Sequence, residues 1–168
     1  MSVGKNNGIG NLSASVLLDD IKSHMSGTLN WTTLTSDEKW IFSEHSVTTT
    51  GTVDMITTGE MFLGTNTATA AGDKIFWVAI KHTGYSSGTV STDEGILISH
   101  TAATPAHGGS TSTAGILIEP GELFVAKFPQ TTIADLHAIT CNISSTGAIS
   151  AGTGNVAVQI AALLKDVG

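Results

Sequence analysis

Short apolar runs separated by Gly, Ser, Thr and Asn dominate the pattern of this chain. The longest run, KIFWVAIKH at 74–82, is rich in the aromatic and β-branched residues that suit a pleated surface. Similar runs lie at 29–34, 38–47, 52–64, 95–99, 115–118, 122–128, 136–143 and 155–164. About 8 to 10 short strands, with turn residues between them and little helix, predict an all-β sandwich or barrel.

The first 26 residues carry a different pattern. Residues 1–11 contain three Gly and three Asn, which predicts a flexible arm or one that a partner orders. Within residues 12–26, Leu17, Leu18, Ile21 and Met25 fit a helical stripe, but a short strand followed by a turn fits equally well. We therefore expect an N-terminal arm or short helix over 1–26, followed by a single β-sandwich domain over 27–168.

The stretch GILIEPGELFVAKFP at 115–129 predicts a sharp corner between two strands. Pro120 fixes φ at about −65° at the second turn position, and Gly121 tolerates a positive φ at the third, which favours a type II turn. Proline cannot donate a hydrogen bond within a strand ladder. Residues 115–118 and 122–128 are therefore expected to be separate strands, or one strand bent hard between two sheets.

Hydroxyl residues, rather than charged ones, occupy many of the polar positions of the predicted sandwich. The chain contains 25 Thr and 17 Ser, whereas charged residues make up 12%, against about 25% in a typical soluble domain. Because charge normally supplies solubility, one interpretation is that much of the surface contacts other subunits. The other interpretation is a neutral, Thr-rich β surface.

The remaining charges disfavour several classes of partner. The net charge is −7, and the seven basic residues are all Lys, scattered along the chain. Nucleic-acid binding is not expected because it depends on clustered positive charge and favours Arg, and an acidic membrane surface is disfavoured for the same reason. No run approaches the roughly 20 apolar residues of a membrane helix.

Two further features bear on where the chain is made. The segment MSVGKNNGIG lacks the apolar stretch of a signal peptide, so we expect a soluble protein made in the cytoplasm. Cys141 is the only cysteine, which leaves no intrachain disulfide and no Cys-based zinc site.

A G-x-S-x-G match at 84–88 (GYSSG) makes Ser86 a formal candidate for a serine nucleophile. That chemistry requires a strand-to-helix turn that exposes the Ser hydroxyl, and the following residues, TVSTDEG, do not favour a helix. Asp135 and His137 come later in the right order, but only one residue separates them. Chance matches are expected in a chain so rich in Gly and Ser, and we predict no enzymatic activity from this motif.

The chain contains six histidines, but their spacing does not favour a metal site. A jelly-roll metal enzyme of the cupin type would carry an H-x-H pair followed by Glu, and the sequence contains no such pair. Strand alternation instead groups His82 with Val78 and Ile80, and His137 with Cys141. Both histidines are therefore expected to face the core with one satisfied hydrogen bond, and we predict neither a metal nor a cofactor.

Carboxylates and tryptophans provide the remaining candidates. The acidic residues fall at turns and strand ends, where no spacing predicts the paired carboxylates of a glycosidase. Glu119 and Glu122 flank the corner and are predicted to be solvated turn residues. Trp77 lies inside an apolar strand and is predicted to be in the core. Trp31 and Trp40 fit a sugar-stacking platform and are the candidate ligand-binding residues.

Several segments within residues 74–164 together resemble a known group of proteins. These segments are KIFWVAIKHTG, the GILI strand, IEPGELFVAKFP, ADLHAITCNIS and the closing VAVQIAALL. They resemble the small jelly-roll structural proteins of tailed bacteriophages, notably those of marine and cyanobacterial phages. The resemblance lies in the order of a Lys-His-Thr-Gly strand end, an apolar strand, an I-x-P-G-E corner, an L-H-A-I strand and an alternating final strand. It implies a jelly-roll-like β-sandwich.

The resemblance also implies a role without catalysis. It indicates a virion component, above all a capsid decoration or cement protein that binds the outer shell as a homo-oligomer, for which a trimer is one option. The implied partners are the major capsid protein, other virion proteins and further copies of the chain. The implied location is the virion, after synthesis in the host cytoplasm.

Three other functions stay open. One is a carbohydrate- or receptor-binding module on a tail or fibre, and another is a neck or tail structural protein. A metal-dependent jelly-roll enzyme is the least favoured. Jelly rolls host many functions, so the fold does not decide among these roles.

Overall fold

A computed structural model describes residues 7–18, 21–32, 37–49, 51–100 and 115–167, and for the first two ranges it describes the backbone. The chain divides into two compact units, Met1–Glu38 and Lys39–Gly168. Within the described ranges, the 3-10 turn Ile133–Asp135 is the only helical element, and no helix there could cross a membrane. The strands are β1 (Asn7–Leu18), β2 (Ile21–Thr32), β3 (Glu38–Val47), β4 (Val53–Asp54), β5 (Lys74–His82), β6 (Tyr85–Ser87), β7 (Val90–Ser91), β8 (Gly95–Ser99), β9 (Ile116–Ile118), β10 (Leu123–Ala126), β11 (His137–Ile143), β12 (Ile149–Ala151) and β13 (Val156–Lys165).

The predicted all-β fold is confirmed, and the second unit is built as two layers. One sheet has the strand order β10-β5-β13-β3, and the other has the order β12-β11-β8-β9, with β4 also paired to β11. One buried cluster draws on both sheets, with Ile80 and Val158 from the first and Ile98 and Ile118 from the second. The sheets therefore pack face to face around a shared core, while β6 and β7 form a small separate ribbon.

The strand pairs of the sandwich are nested. β8 pairs with β9, β5 with β10, β4 with β11 and β3 with β13. The first half of the unit therefore folds back along the second half like one long hairpin. Successive pairs alternate between the two sheets, so the chain crosses repeatedly from one layer to the other.

The predicted type II turn is confirmed, and it forms one of these crossings. The Glu122 N–H donates to the Glu119 carbonyl over 3.0 Å, and Gly121 has a φ of 83°. β9 before the turn belongs to one sheet and β10 after it to the other. Glu119 and Glu122 are both exposed, as predicted, and the Glu122 carboxylate accepts a further hydrogen bond from the Glu119 N–H.

The expected N-terminal helix is wrong for the described residues. β1 and β2 pair antiparallel in one uninterrupted register, from Asn7 opposite Thr32 to Leu18 opposite Ile21. Cross-strand pairing, rather than a helical stripe, aligns the apolar positions of this segment. The unit boundary consequently follows Glu38 instead of residue 26. Residues 1–6 of the expected flexible arm lie outside the described residues.

The other strand predictions are confirmed for three runs, whereas the shortest strands were not predicted. The runs at 38–47, 74–82 and 95–99 match β3, β5 and β8 at both ends. The two strands expected within 52–64 reduce to β4 and one bridge between Met61 and Ala68. The short strands β6, β7 and β12 fall between the predicted runs, because two or three residues show no alternation. Residues 101–114, between the runs at 95–99 and 115–118, lie outside the described residues.

A second, smaller apolar cluster corrects the prediction for His137. On β11, Ala138 belongs to the core between the sheets, whereas Ile139 and Cys141 belong to the separate cluster. Because neighbouring residues of a strand face opposite sides, His137 shares the side of Ile139 and faces away from the shared core. Its ring is half-buried, and Nδ1 lies 2.9 Å from Asp54 Oδ1.

A buried carboxylate ties two loops of the sandwich together. Glu94 Oε1 accepts hydrogen bonds from the Thr153 N–H at 2.9 Å, the Thr153 hydroxyl at 2.8 Å and the Gly154 N–H at 3.0 Å. Gly152 approaches this site closely, because a Cβ there would lie 2.5 Å from Thr140 Oγ1 and 2.6 Å from Glu94 Oε2. The loop before β13 therefore fits the carboxylate only if residue 152 has no side chain.

We predict that Gly152→Ala lowers the free energy of unfolding by about 1–3 kcal/mol, the usual cost of forcing atoms into a packed site. Urea unfolding followed by Trp fluorescence measures it. Gly72→Ala is the matched control, since its Cβ would lie 3.3 Å from the end of the exposed Val167 side chain, which can move aside. Equal stability of the two variants would contradict the close-approach argument.

Candidate functional site

The outward face of the four-stranded sheet is one candidate surface. The register places Ala79 beside Val125 and Ala161, while the alternate position Ile80 belongs to the core. Residues on the side of Ala79 therefore form the surface that we term the outer sheet face. Its members are Trp40, Phe42, Glu44, Trp77, Ala79, Lys81, Leu123, Val125, Gln159, Ala161 and Leu163.

Most of the outer sheet face is apolar, and part of it is open to solvent. Phe42 is 54% exposed and Leu123 is 61% exposed. Val125, Ala79 and Ala161 lie side by side on neighbouring strands and are half-buried. Large exposed apolar side chains on one sheet face make this surface a candidate contact site.

Trp40 and Trp77 lie at one end of this face. Trp77 is 6% exposed, which agrees with its predicted burial, although its neighbours place it on the outer sheet face and not between the sheets. The Trp40 and Trp77 rings meet edge to face, with centroids 5.4 Å apart and planes at 67°. The ligand-stacking role of Trp40 stays a prediction. Trp31 lies in β2, where the description covers the backbone alone.

A cleft of about 380 Å³, lined by both polar and apolar groups, lies at the opposite end of the face. Glu44, Lys81, Gln159 and the single tyrosine, Tyr85, line it. The Gln159 amide donates to Glu44 Oε1 over 2.8 Å, and Tyr85 is 42% exposed. The cleft therefore combines an accessible aromatic ring with a carboxylate, an amide and an ammonium group. Sequence reasoning missed it, because the four residues lie on four separate segments.

His45 and Glu60 form a polar cluster beside the cleft. His45 Nε2 lies 3.0 Å from Glu60 Oε1 and 3.0 Å from Ser43 Oγ. Burial raises the pKa of Glu60, but hydrogen bonds from His45 and from the Thr57 N–H and hydroxyl outweigh it and hold the value at about 2. A serine–histidine–carboxylate triad requires the serine and the carboxylate to meet opposite ring nitrogens. Here the serine and the carboxylate both lie at Nε2, so the contact is structural and links the loop at Glu60 to strand β3.

His82 is confirmed as a core histidine with satisfied hydrogen bonds. Its side chain is fully buried, Nε2 lies 2.8 Å from the Glu94 carbonyl oxygen, and Nδ1 accepts from the Gly84 N–H over 3.0 Å. These partners require a proton on Nε2 and a lone pair on Nδ1. Burial lowers the pKa of His82 from 6.5, and the hydrogen bond to Glu94 opposes this shift only in part.

The remaining sequence candidates do not converge on a site. Ser86 lies in the ribbon strand β6, and its hydroxyl donates to the Val90 carbonyl over 3.2 Å, so the G-x-S-x-G segment forms no strand-to-helix turn. Asp135 accepts from the Thr132 hydroxyl instead of meeting His137. Across the described residues, no group of three or more His, Cys, Asp or Glu is placed to hold a metal ion.

No family model, no curated protein and no solved structure matches this chain.

We predict that His82 makes stability fall in mildly acidic solution. The unfolded chain binds a proton at this residue before the folded chain does, so the contribution of His82 to stability is complete above pH 6.5 and declines as the pH falls below 6.5. NMR of the ring carbons should show His82 still neutral just below that pH. A ring that titrates with a midpoint at or above 6.5 would refute this expectation.

Proposed function

We propose that this chain is a non-enzymatic structural component of a tailed-phage virion, and specifically a capsid decoration protein that binds the outer shell as a homo-oligomer. The single observation that supports this role most is the apolar outer sheet face, on which Phe42 and Leu123 stay exposed. A surface of this kind suits contact with another protein. The phage assignment rests on the sequence resemblance of residues 74–164.

We infer further that the sandwich is a jelly roll. The nested pairs β8–β9, β5–β10, β4–β11 and β3–β13, alternating between two sheets, support this assignment, because a jelly roll is a two-sheet fold of eight strands built from two Greek keys. The corner at Pro120, which carries the chain from β9 to β10, is one of the crossings that such a fold requires.

The proposed partners are the major capsid protein and further copies of the chain. A decoration protein occupies a symmetric lattice, where many weak contacts add up to firm attachment. The charge of the chain supports a protein partner over a nucleic acid, since its seven basic residues are all Lys and an acidic chain repels phosphate.

We expect the chain to be abundant in the particle. Quantitative mass spectrometry of purified virions should find it at hundreds of copies, in a fixed ratio to the major shell subunit. A few copies per particle would indicate a neck, tail or receptor-binding position instead. Absence from purified particles would end the virion proposal.

The cleft at Tyr85 favours a second candidate function, the recognition of a carbohydrate. Sugar rings have an apolar face and a rim of hydroxyls, and Tyr85 offers an accessible ring while Glu44, Lys81 and Gln159 offer both donors and acceptors. On a virion surface, such a site would contact polysaccharides of the host cell.

We predict that any such binding depends on the ring of Tyr85. In a titration against bacterial surface polysaccharides, Tyr85→Ala should weaken binding roughly tenfold, which corresponds to about 1.4 kcal/mol. Tyr85→Phe is the matched control, because it keeps the ring and should retain most of the affinity. Binding that is equal in all three proteins, or absent in the unsubstituted protein, would exclude this site.

A further inference from the structure

The N-terminal hairpin separates apolar from polar positions. Residues directly opposite each other in an antiparallel pair share a face, and the register sets Ala14 opposite Met25, Leu18 opposite Ile21 and Leu29 opposite Gly10. With Leu12, Val16 and Trp31, these positions give one face that is mainly apolar. We term it the hairpin apolar face.

The opposite face of the hairpin is polar. It pairs Ser13 with Ser26, Ser15 with His24, and Asn11 with Thr28, and its only apolar positions are Ile9 and Leu17. This division is the pattern of a two-stranded layer with one side in water and the other against a partner.

A two-stranded hairpin is marginally stable in water unless a further layer covers its apolar side. The hairpin apolar face therefore calls for a covering surface. The outer sheet face has matching properties, because it is also pleated, largely apolar and, at Phe42 and Leu123, open to solvent.

We propose that the hairpin of one copy packs its apolar face on the outer sheet face of a second copy, and that each copy donates one hairpin and receives one. The inference rests on the assembly role proposed above, and it names the partner as the chain itself.

Between two copies, the area of contact favours a reciprocal exchange over a single docked hairpin. Two strands of 12 residues cover a footprint of about 400 Å², from a rise of about 3.3 Å per residue and a strand spacing of about 4.8 Å. One docked hairpin thus buries about 800 Å² in total, counting both partners, which is below a stable interface. A reciprocal pair buries about 1,600 Å², the standard size of a specific interface.

The first test compares two full-length variants that differ by one position along β1. Val16→Glu places a carboxylate on the hairpin apolar face, whereas Ser15→Glu places it on the polar face. Light scattering after size exclusion should find the unsubstituted protein and Ser15→Glu as oligomers, with a mass at least twice the 17.2 kDa of one chain. The oligomer of Val16→Glu should be weaker, with a dissociation constant at least tenfold higher than that of the unsubstituted protein.

The second test addresses the receiving surface. The double variant Phe42→Glu, Leu123→Glu should dissociate in the same way. The control Val90→Glu should stay associated, because Val90 is equally exposed, at 60%, but lies in the ribbon strand β7.

Mixing the variants separates exchange between copies from docking within one chain. Val16→Glu keeps an intact receiving surface and the double variant keeps an intact hairpin, so a mixture restores one hairpin contact between two copies. Because one hairpin contact is smaller than a stable interface, exchange predicts a weak heterodimer in the mixture, which chemical cross-linking at high protein concentration should trap and which neither variant alone should give.

Three results would overturn the inference. They are a monomeric unsubstituted protein, equal association of Val16→Glu and Ser15→Glu, and a mixture without heterodimer. The copy number in virions is an independent measurement. A high copy number with no effect of Val16→Glu would remove hairpin exchange and leave the proposed virion role standing.

Discussion

A pleated sheet has two faces, and a two-layer sandwich covers only one face of each sheet; the rest of this structure depends on that constraint. β5 and β13 carry apolar residues on both faces, since Ile80 and Ile160 enter the core while Ala79 and Ala161 face outward. At one end of this outward face Trp77 and Leu163 are buried, whereas Ala79 and Ala161 are half-buried and Phe42 is 54% exposed. An additional layer would complete the burial of this face, and the assembly proposed above would supply one.

The sequence predicts the parts of the fold in which a local pattern has one physical solution. β3, β5 and β8 are found at their predicted bounds because each is a dense β-branched or aromatic run with turn residues at both ends. The corner is predictable because Pro120 restricts φ at the second turn position while Gly121 permits the positive φ that a type II turn requires at the third.

Features set by distant residues could not be predicted. The N-terminal segment fits a helical stripe, and only the register between β1 and β2 shows that Met25 lies across from Ala14. The Glu94 carboxylate finds its donors at Thr153 and Gly154, which follow it by about sixty positions. The cleft at Tyr85 likewise depends on pairing between strands, and no single segment carries its signal.

The edges of the four-stranded sheet decide how another layer can be added. Exposed strand edges invite pairing with other chains. The long edge strand β3 is partly covered here, since the Trp40 carbonyl accepts a hydrogen bond from the Leu63 N–H at 2.7 Å and the His45 ring lies 3.0 Å from the Glu60 carboxylate. The other edge, β10, has four residues and is soon followed by Pro129. Extension of the sheet along either edge is thereby disfavoured. The open face remains the surface on which the proposed partner would pack, face to face and not strand to strand.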